Sequence, residues 1–192
     1  MKKVLVLTAH PDDLELACGG TVARFVDEGV EVTNLIVCSN VPHKKHVLDS
    51  AKVLGFNPLY LEHRDESITR EVVAEIEALI NISSYDLLIT HWKEDWHQDH
   101  RFCHDLGNSL RRKQPLNVWY MNAYPYCQKY TSFEANVFVD ITKYIEQKKN
   151  SILCYKNVPT KWAKDTEHLT AYRGAFIETQ HAEIFKADTL IV

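Results

Sequence analysis

Two short stretches concentrate residue types that can do chemistry: His10-Pro11-Asp12-Asp13, and the run from His91 to His100 that contains Asp95, His97, Asp99 and His100. His10 and Asp13 are three positions apart in what reads as a tight turn entering a helix, so an imidazole and a carboxylate can converge on one cation. His97 and His100 share that spacing at the start of another predicted helix, and the spacing leaves open which of them supplies a third ligand. Two nitrogens, one carboxylate and an open fourth position make the ligand set of a hydrolytic zinc site, in which the metal lowers the pKa of its water to about 7. Iron or another divalent ion suits the same donors. Asp12 is left free beside the metal, where it can take the proton of the attacking water. A protonated His97 can hydrogen-bond a tetrahedral oxyanion or protonate a leaving amine, with Asp99 raising its pKa and fixing its orientation.

Each cluster alone has a plainer explanation. Aspartate is favoured at helix N-termini whatever its chemistry, and a histidine beside it is usually a surface residue. Both clusters, however, follow predicted strands. Beyond the carboxyl ends of strands is where open α/β sheets place their ligands, so the conjunction favours a site. His43, His46, His63, His104, His168 and His181 have no comparable company and read as surface or packing residues.

The elements that must carry these clusters alternate. Val4–Thr8 is an uninterrupted β-rich run, as expected of a strand buried on both faces. A helix then runs from Leu14 to about Gly29, weakened by Gly19-Gly20, and a second strand follows at Val32–Val37. Val47, Ala51 and Leu54 mark a helix closed by Gly55, with Pro58–Leu61 as a third strand. Ser67 precedes a helix with Val72, Val73, Ile76 and Leu79 on one face, and Leu87–Thr90 is a fourth strand. A helix over Phe102–Leu110 and a strand at Val118–Tyr120 complete the regular part. Beyond Gln128 the pattern predicts a strand at Asn136–Val139, a helix at Lys143–Lys156 and a shorter helix at Leu169–Phe176. This order implies an α/β, Rossmann-like three-layer fold with a mostly parallel sheet flanked by helices, as one domain over residues 1–192.

Composition narrows the function classes. A net charge of -4 gives no basic groove for nucleic acid, and the runs Arg111-Arg112-Lys113 and Lys148-Lys149 read as solvated helix ends. Five widely spaced cysteines suggest neither a disulfide framework nor a thiolate zinc site, and fit a reducing cytoplasm. No stretch approaches the roughly 20 apolar residues that cross a bilayer, so no membrane insertion is expected.

The segment Thr8-Ala9-His10-Pro11-Asp12-Asp13-Leu14-Glu15, followed by Cys18-Gly19-Gly20-Thr21, closely resembles the N-terminal signature of the LmbE-like, PIG-L family of N-acetylglucosaminyl deacetylases. Thr90-His91 with Asp95, His97, Asp99, His100 and Arg101 resembles that family's second signature. Weaker echoes are Leu54-Gly55, Arg173-Gly174, Ala182-Glu183 and Phe185. The resemblance implies that His10, Asp13 and His100 are zinc ligands, that Asp12 is the general base, and that His97 and Asp99 support the oxyanion and its charge. Arg64-Asp65 falls where some members of that family have an acidic residue contacting the sugar, and reads equally as a surface ion pair. Departures at Cys38-Ser39-Asn40 and at Cys154-Tyr155-Lys156-Asn157 concern the rim and the substrate, not the metal.

The resulting expectation is hydrolysis of an N-acetyl or N-formyl group from an amino sugar or its conjugate. The same chemistry on a non-sugar amide of antibiotic or thiol biosynthesis is the alternative. A non-catalytic nucleotide-binding module is disfavoured, because a phosphate would face two carboxylates where backbone amides are needed. The aromatic segment from Trp119 to Tyr130 offers a stacking wall for a small-molecule substrate, or else a packing or homo-oligomer surface.

Overall fold

The structure, a computed structural model, describes residues 1–38, 43–61, 69–126 and 133–189. Strands β1 (Lys3–Thr8), β2 (Glu31–Ile36), β3 (Asn57–Tyr60), β4 (Leu87–His91), β5 (Asn117–Met121), β6 (Val137–Asp140) and β7 (Ala182–Thr189) form a seven-stranded sheet in the order β3-β2-β1-β4-β5-β7-β6. β1 to β5 pair in parallel, and β7 runs antiparallel between β5 and β6, so six strands share one direction. The described helices are α1 (Asp13–Asp27), α2 (Lys44–Leu54), α3 (Arg70–Leu79), α4 (Gln98–Leu110), α5 (Ile145–Ile152) and α6 (Lys161–Gly174). None is long and apolar enough to cross a membrane.

Side chains alternate across the pleat, so β1 feeds two cores. Val4 and Val6 pack with Leu14, Val22 and Phe25 of α1, Val47 of α2 and Ile152 of α5. Leu5 and Leu7 pack with Ile76 of α3 and Leu106 of α4 on the other face. β1 and β4 are neighbours in the middle of the sheet, in register from Val4↔Leu87 to Val6↔Ile89, which brings the turns after both strands together at their carboxyl ends.

The N-terminal half follows expectation closely. Gly55 closes α2 at φ 85, the left-handed conformation that suits glycine. Thr69 caps α3, accepting from the Val72 N–H; Ser67, and Gln128 where the regular alternation is expected to end, lie outside the described residues. The last third departs in three places. The expected helix at Lys143–Lys156 is a 3-10 turn at Thr142–Tyr144 followed by only α5, whereas the expected short helix at Leu169–Phe176 begins eight residues earlier, at Lys161. β7 was not anticipated at all.

A further correction concerns Lys148, which is no solvated helix end but 1% exposed. Helix α1 is broken at Cys18 (φ -138, ψ 19), where the weakening Gly19-Gly20 pair begins. The break frees carbonyls below it and N–H groups above it. Lys148 Nζ donates to the Glu15 carbonyl (2.8 Å), the Leu16 carbonyl (3.0 Å) and Glu183 Oε1 (2.7 Å). The Glu183 carboxylate accepts from the N–H groups of Gly20 (3.0 Å) and Thr21 (2.6 Å). A cation thus closes the C-terminal end of the first half-helix and an anion the N-terminal end of the second, the arrangement the helix dipole favours at each.

Gly20 is needed at this break for space. An added Cβ would lie 2.6 Å from Ile141 Cδ1 and 2.9 Å from Ile141 Cβ. Gly20→Ala is therefore expected to destabilise by about 1–3 kcal/mol, measured by urea unfolding, overriding alanine's better helix propensity of about 1 kcal/mol. An unchanged or raised midpoint would show that Ile141 gives way freely.

Candidate metal centre and active-site cleft

The turn after β1 presents His10, Asp12 and Asp13, and the segment between β4 and α4 presents His91, Asp95, His97, Asp99 and His100. The structure brings all of them together. Asp13, 7% exposed at its side chain, is the centre: Oδ1 lies 3.2 Å from His100 Nε2, while Oδ2 accepts from the His10 backbone N–H (2.7 Å) and lies 3.2 Å from His91 Nε2 and 3.6 Å from His10 Nδ1.

Both expected imidazole ligands have a carboxylate on the far nitrogen. His100 Nδ1 is 2.9 Å from Asp95 Oδ2, and His10 Nε2 is 2.8 Å from Asp99 Oδ2. Such partners fix the ring and direct the other nitrogen inward, as they do for metal-bound histidines. Asp95 is held in turn, its Oδ1 accepting from the His97 N–H at 2.9 Å.

The arrangement departs from expectation at Asp99. Its carboxylate pairs with His10, and only the more distant 3.9 Å approach reaches His97 Nδ1. Burial, together with the positive charge of His10 and His100, lowers the His97 pKa instead of raising it. His97 caps α4, its Nδ1 accepting from the Asp99 N–H (3.2 Å), which leaves the proton of the neutral ring on Nε2.

The electrostatics are those of a site that demands positive charge. Burial pulls His100 and His10 down, but Asp13 more than compensates, with Asp95 assisting at His100 and Asp99 at His10; the two reach about 10 and about 9. Asp13 is opposed by burial, yet His100, His91 and His10 hold it well below the usual carboxylate range. Burial and the neighbouring Asp13 push Asp12 up to about 6. Burial and the charge of His100 lower His91 to about 4.

A divalent cation fits these residues. His100 Nε2 is buried without a hydrogen-bond partner although it lies 3.2 Å from Asp13 Oδ1, as befits a donor atom aimed at an ion. Ligand atoms of His10, His97 and His100 lie within 4.8 Å of one another, as do those of Asp13, His91 and His100. All are imidazole and carboxylate, the donors of hydrolytic metal sites.

Beside the cluster opens a cleft of about 260 Å³ whose lining includes His10, Asp12, Asp13 and His97 together with Tyr124, Tyr126, Asn157 and Trp162. Tyr126 stands edge-on to His97, with ring centroids 5.4 Å apart. The expected aromatic wall is thus divided: Trp119 and Tyr120 belong to β5, Trp119 packing on Phe25 and Phe185, and residues 127–130 lie outside the described residues. Arg64, Asp65, His63, Ser39 and Asn40 also lie outside them.

His91 and Asp95 stand in the right cluster and in the stretch that resembles the family's second signature, but neither the spacing nor the resemblance gives them a role. His43, taken as a surface or packing residue, lines the cleft together with Cys38. Tyr155, assigned to the rim, reaches the turn itself: its hydroxyl donates to the Pro11 carbonyl at 2.6 Å and lies 3.0 Å from Glu15 Oε1. Burial pushes Glu15 up to about 8.

Residues 5–110 match the family PIG-L, GlcNAc-PI de-N-acetylase. The 1D-myo-inositol 2-acetamido-2-deoxy-alpha-D-glucopyranoside deacetylase of Tsukamurella paurometabola is 37% identical over 62 residues, covering 28% of this chain but only 20% of that protein's length. The diacetylchitobiose deacetylase of Thermococcus kodakarensis is 23% identical over 95% of this chain and 82% of its own. The fold is also that of the 4-carboxy-2-hydroxymuconate hydratase of Pseudomonas putida KT2440, at TM-score 0.84, 15% identity and coverage of 100% and 98%. A hydratase on this fold means that the site, not the fold, must decide the reaction. With the family match taking in both strands and both clusters that build the site, this chain belongs to the PIG-L, GlcNAc-PI de-N-acetylase family.

Proposed function

We propose that this protein is a zinc-dependent amidohydrolase that removes an N-acetyl or N-formyl group from an amino sugar or amino-sugar conjugate. The observation that carries the reading is the convergence of His10, Asp13 and His100, each imidazole steadied by its own carboxylate, beside Asp12, which lines the cleft. His10, Asp13 and His100 would hold the ion, zinc by preference and iron as the alternative. Such an ion, when bound, polarises the amide carbonyl and makes water nucleophilic at neutral pH. Asp12 accepts the proton of the attacking water. His97 presents Nε2–H to the oxygen that gains charge or to the departing nitrogen, and Asp99 keeps His10 in place. Tyr124, Tyr126 and Trp162 supply the apolar wall on which a pyranose face can lie.

The deacetylases among the relatives support a sugar substrate, and Arg64 and Asp65 remain the proposed contacts to it. We further assign the whole chain to one catalytic domain in a reducing cytoplasm, which suits the buried free thiols of Cys18 and Cys103.

The test is metal content by elemental analysis of protein purified without a polyhistidine tag, with release of acetate from N,N'-diacetylchitobiose assayed on the same samples. The wild type should carry about one zinc or iron per chain, and Asp13→Ala should lose it along with turnover. Equal and negligible metal in both, even after reconstitution with zinc, would remove the basis of the reading.

A further inference from the structure

We infer that His91 is the positioning residue of the metal centre, holding Asp13 in a one-oxygen binding mode and fixing the ring plane of His100. This rests on the metal-dependent reading above. His91 closes β4, is fully buried, and does not line the cleft, so it does not meet a substrate there. It touches two of the three proposed ligands, Asp13 at the head of α1 and His100 in α4. Its Nε2 lies 3.2 Å from Asp13 Oδ2, and its ring stacks on His100 with centroids 4.0 Å apart and an interplanar angle of 22°.

The two oxygens of Asp13 are treated differently. Oδ2 receives the His10 N–H at 2.7 Å and faces His91, whereas Oδ1 faces the unpartnered Nε2 of His100. With Oδ2 occupied by donors, Oδ1 is the oxygen offered to a cation. This requires the His91 proton on Nε2. The Ala9 N–H, 3.2 Å from the same nitrogen, donates to Nε2 in the opposite tautomer and gives up that bond in this one. A hydrogen bond to an ionised carboxylate is roughly twice as strong as a neutral one, so donation to Asp13 prevails. The alternative tautomer would set a lone pair against the carboxylate and leave a buried Nδ1–H without an acceptor, since His91 Nδ1 has no partner among the described residues. The backbone anchors the ring as well: the His91 carbonyl lies 3.0 Å from His104 Nδ1 on α4.

The same three residues, Asp13, His91 and His100, lie close enough to be ligands themselves, and affinity separates the two roles. Zinc binding is measured by chelator competition on metal-free wild type, His91→Leu, His91→Gln and His91→Asn, with far-UV circular dichroism confirming the fold. His91→Leu should still bind zinc with unchanged stoichiometry but about 10–100-fold more weakly, as outer-shell losses do. His91→Gln, whose side-chain amide reaches the place of Nε2, should recover most of that loss; His91→Asn, too short to do so, should not. If His91→Leu does not fold, the contrast between Gln and Asn carries the test.

Wild-type affinity in all three variants would overturn the inference while leaving the metal site intact. Complete loss of zinc in both folded Gln and Asn variants would overturn it in favour of His91 as a ligand. Absence of zinc from the wild type, matched by Asp13→Asn, would overturn the metal-dependent reading and this inference with it.

Discussion

Asp12→Asn is expected to keep its metal and lose about 10²–10⁴-fold in kcat, the usual contribution of a positioned general base. The asparagine side chain has the same shape, and the Asp12 side chain makes no capping bond at the head of α1, so the turn should keep its course. The groups that hold the turn are elsewhere: the Asp12 carbonyl accepts the Leu16 N–H, and the Pro11 carbonyl accepts the Tyr155 hydroxyl. His10, Asp13 and His100 keep all their partners, so zinc content measured on the same samples should match the wild type. KM should move little, because a base acts on the water and not on the sugar.

The substitution also has a signature in stability. Ionising Asp12 is opposed by burial and by Asp13, which is why its pKa stands at about 6, above its ordinary value. A carboxyl raised in this way costs the folded state stability that is lost as the pH climbs from the group's ordinary value to about 6, and the full cost is present at pH 7. Metal-free Asp12→Asn at pH 7 is therefore expected to melt no lower than metal-free wild type, making it an inactive but undamaged protein. Activity within a few-fold of wild type would remove Asp12 as the base, whereas lost activity together with lost metal would make Asp12 part of the metal's support.

The reaction centre was legible in sequence because its parts are local. His10 to Asp13 occupy one turn and His97 to His100 another, and both follow continuous apolar strands whose parallel pairing is the common outcome of β-α-β order. What a sequence window does not show is which charged group meets which across the fold. Asp99 is two residues from His97 but pairs with His10, 89 positions away. Lys148 looks like any lysine in a charge run until α1 breaks beside it. The late elements were missed for a related reason. The buried positions of α6 are Ala163, Thr166, Thr170, Arg173 and Gly174, so its inner face lacks the apolar period that marks a helix. β7 buries Glu183 between Ala182 and Ile184, which disrupts its alternation.

That buried glutamate and its lysine carry the largest stability effect expected of this chain. Lys148→Met preserves length and volume but removes the cation. Glu183 is then left as a buried carboxylate without its counter-ion, held only by the N–H groups of Gly20 and Thr21, and the carbonyls of Glu15 and Leu16 lose their donor. Breaking a buried ion pair by removing one partner costs about 3–5 kcal/mol. In a chain of this size each kcal/mol lowers Tm by about 2–4 °C, so a fall of roughly 6–20 °C is expected. The double variant Lys148→Met with Glu183→Gln separates the pair from its surroundings. The side-chain amide introduced by Glu183→Gln can still accept an N–H of the second half-helix without carrying charge, so the double variant should be more stable than Lys148→Met alone, a coupling outside the additivity expected of distant sites. The first half of α1 begins at Asp13, and Lys148 grips the carbonyls of Glu15 and Leu16 within its first turn and next residue. Loosening that grip should therefore also weaken zinc binding in the fraction that remains folded. A Tm within about 2 °C of wild type in Lys148→Met, under the one-kcal/mol scale above, would show that the break in α1 closes without its ion pair.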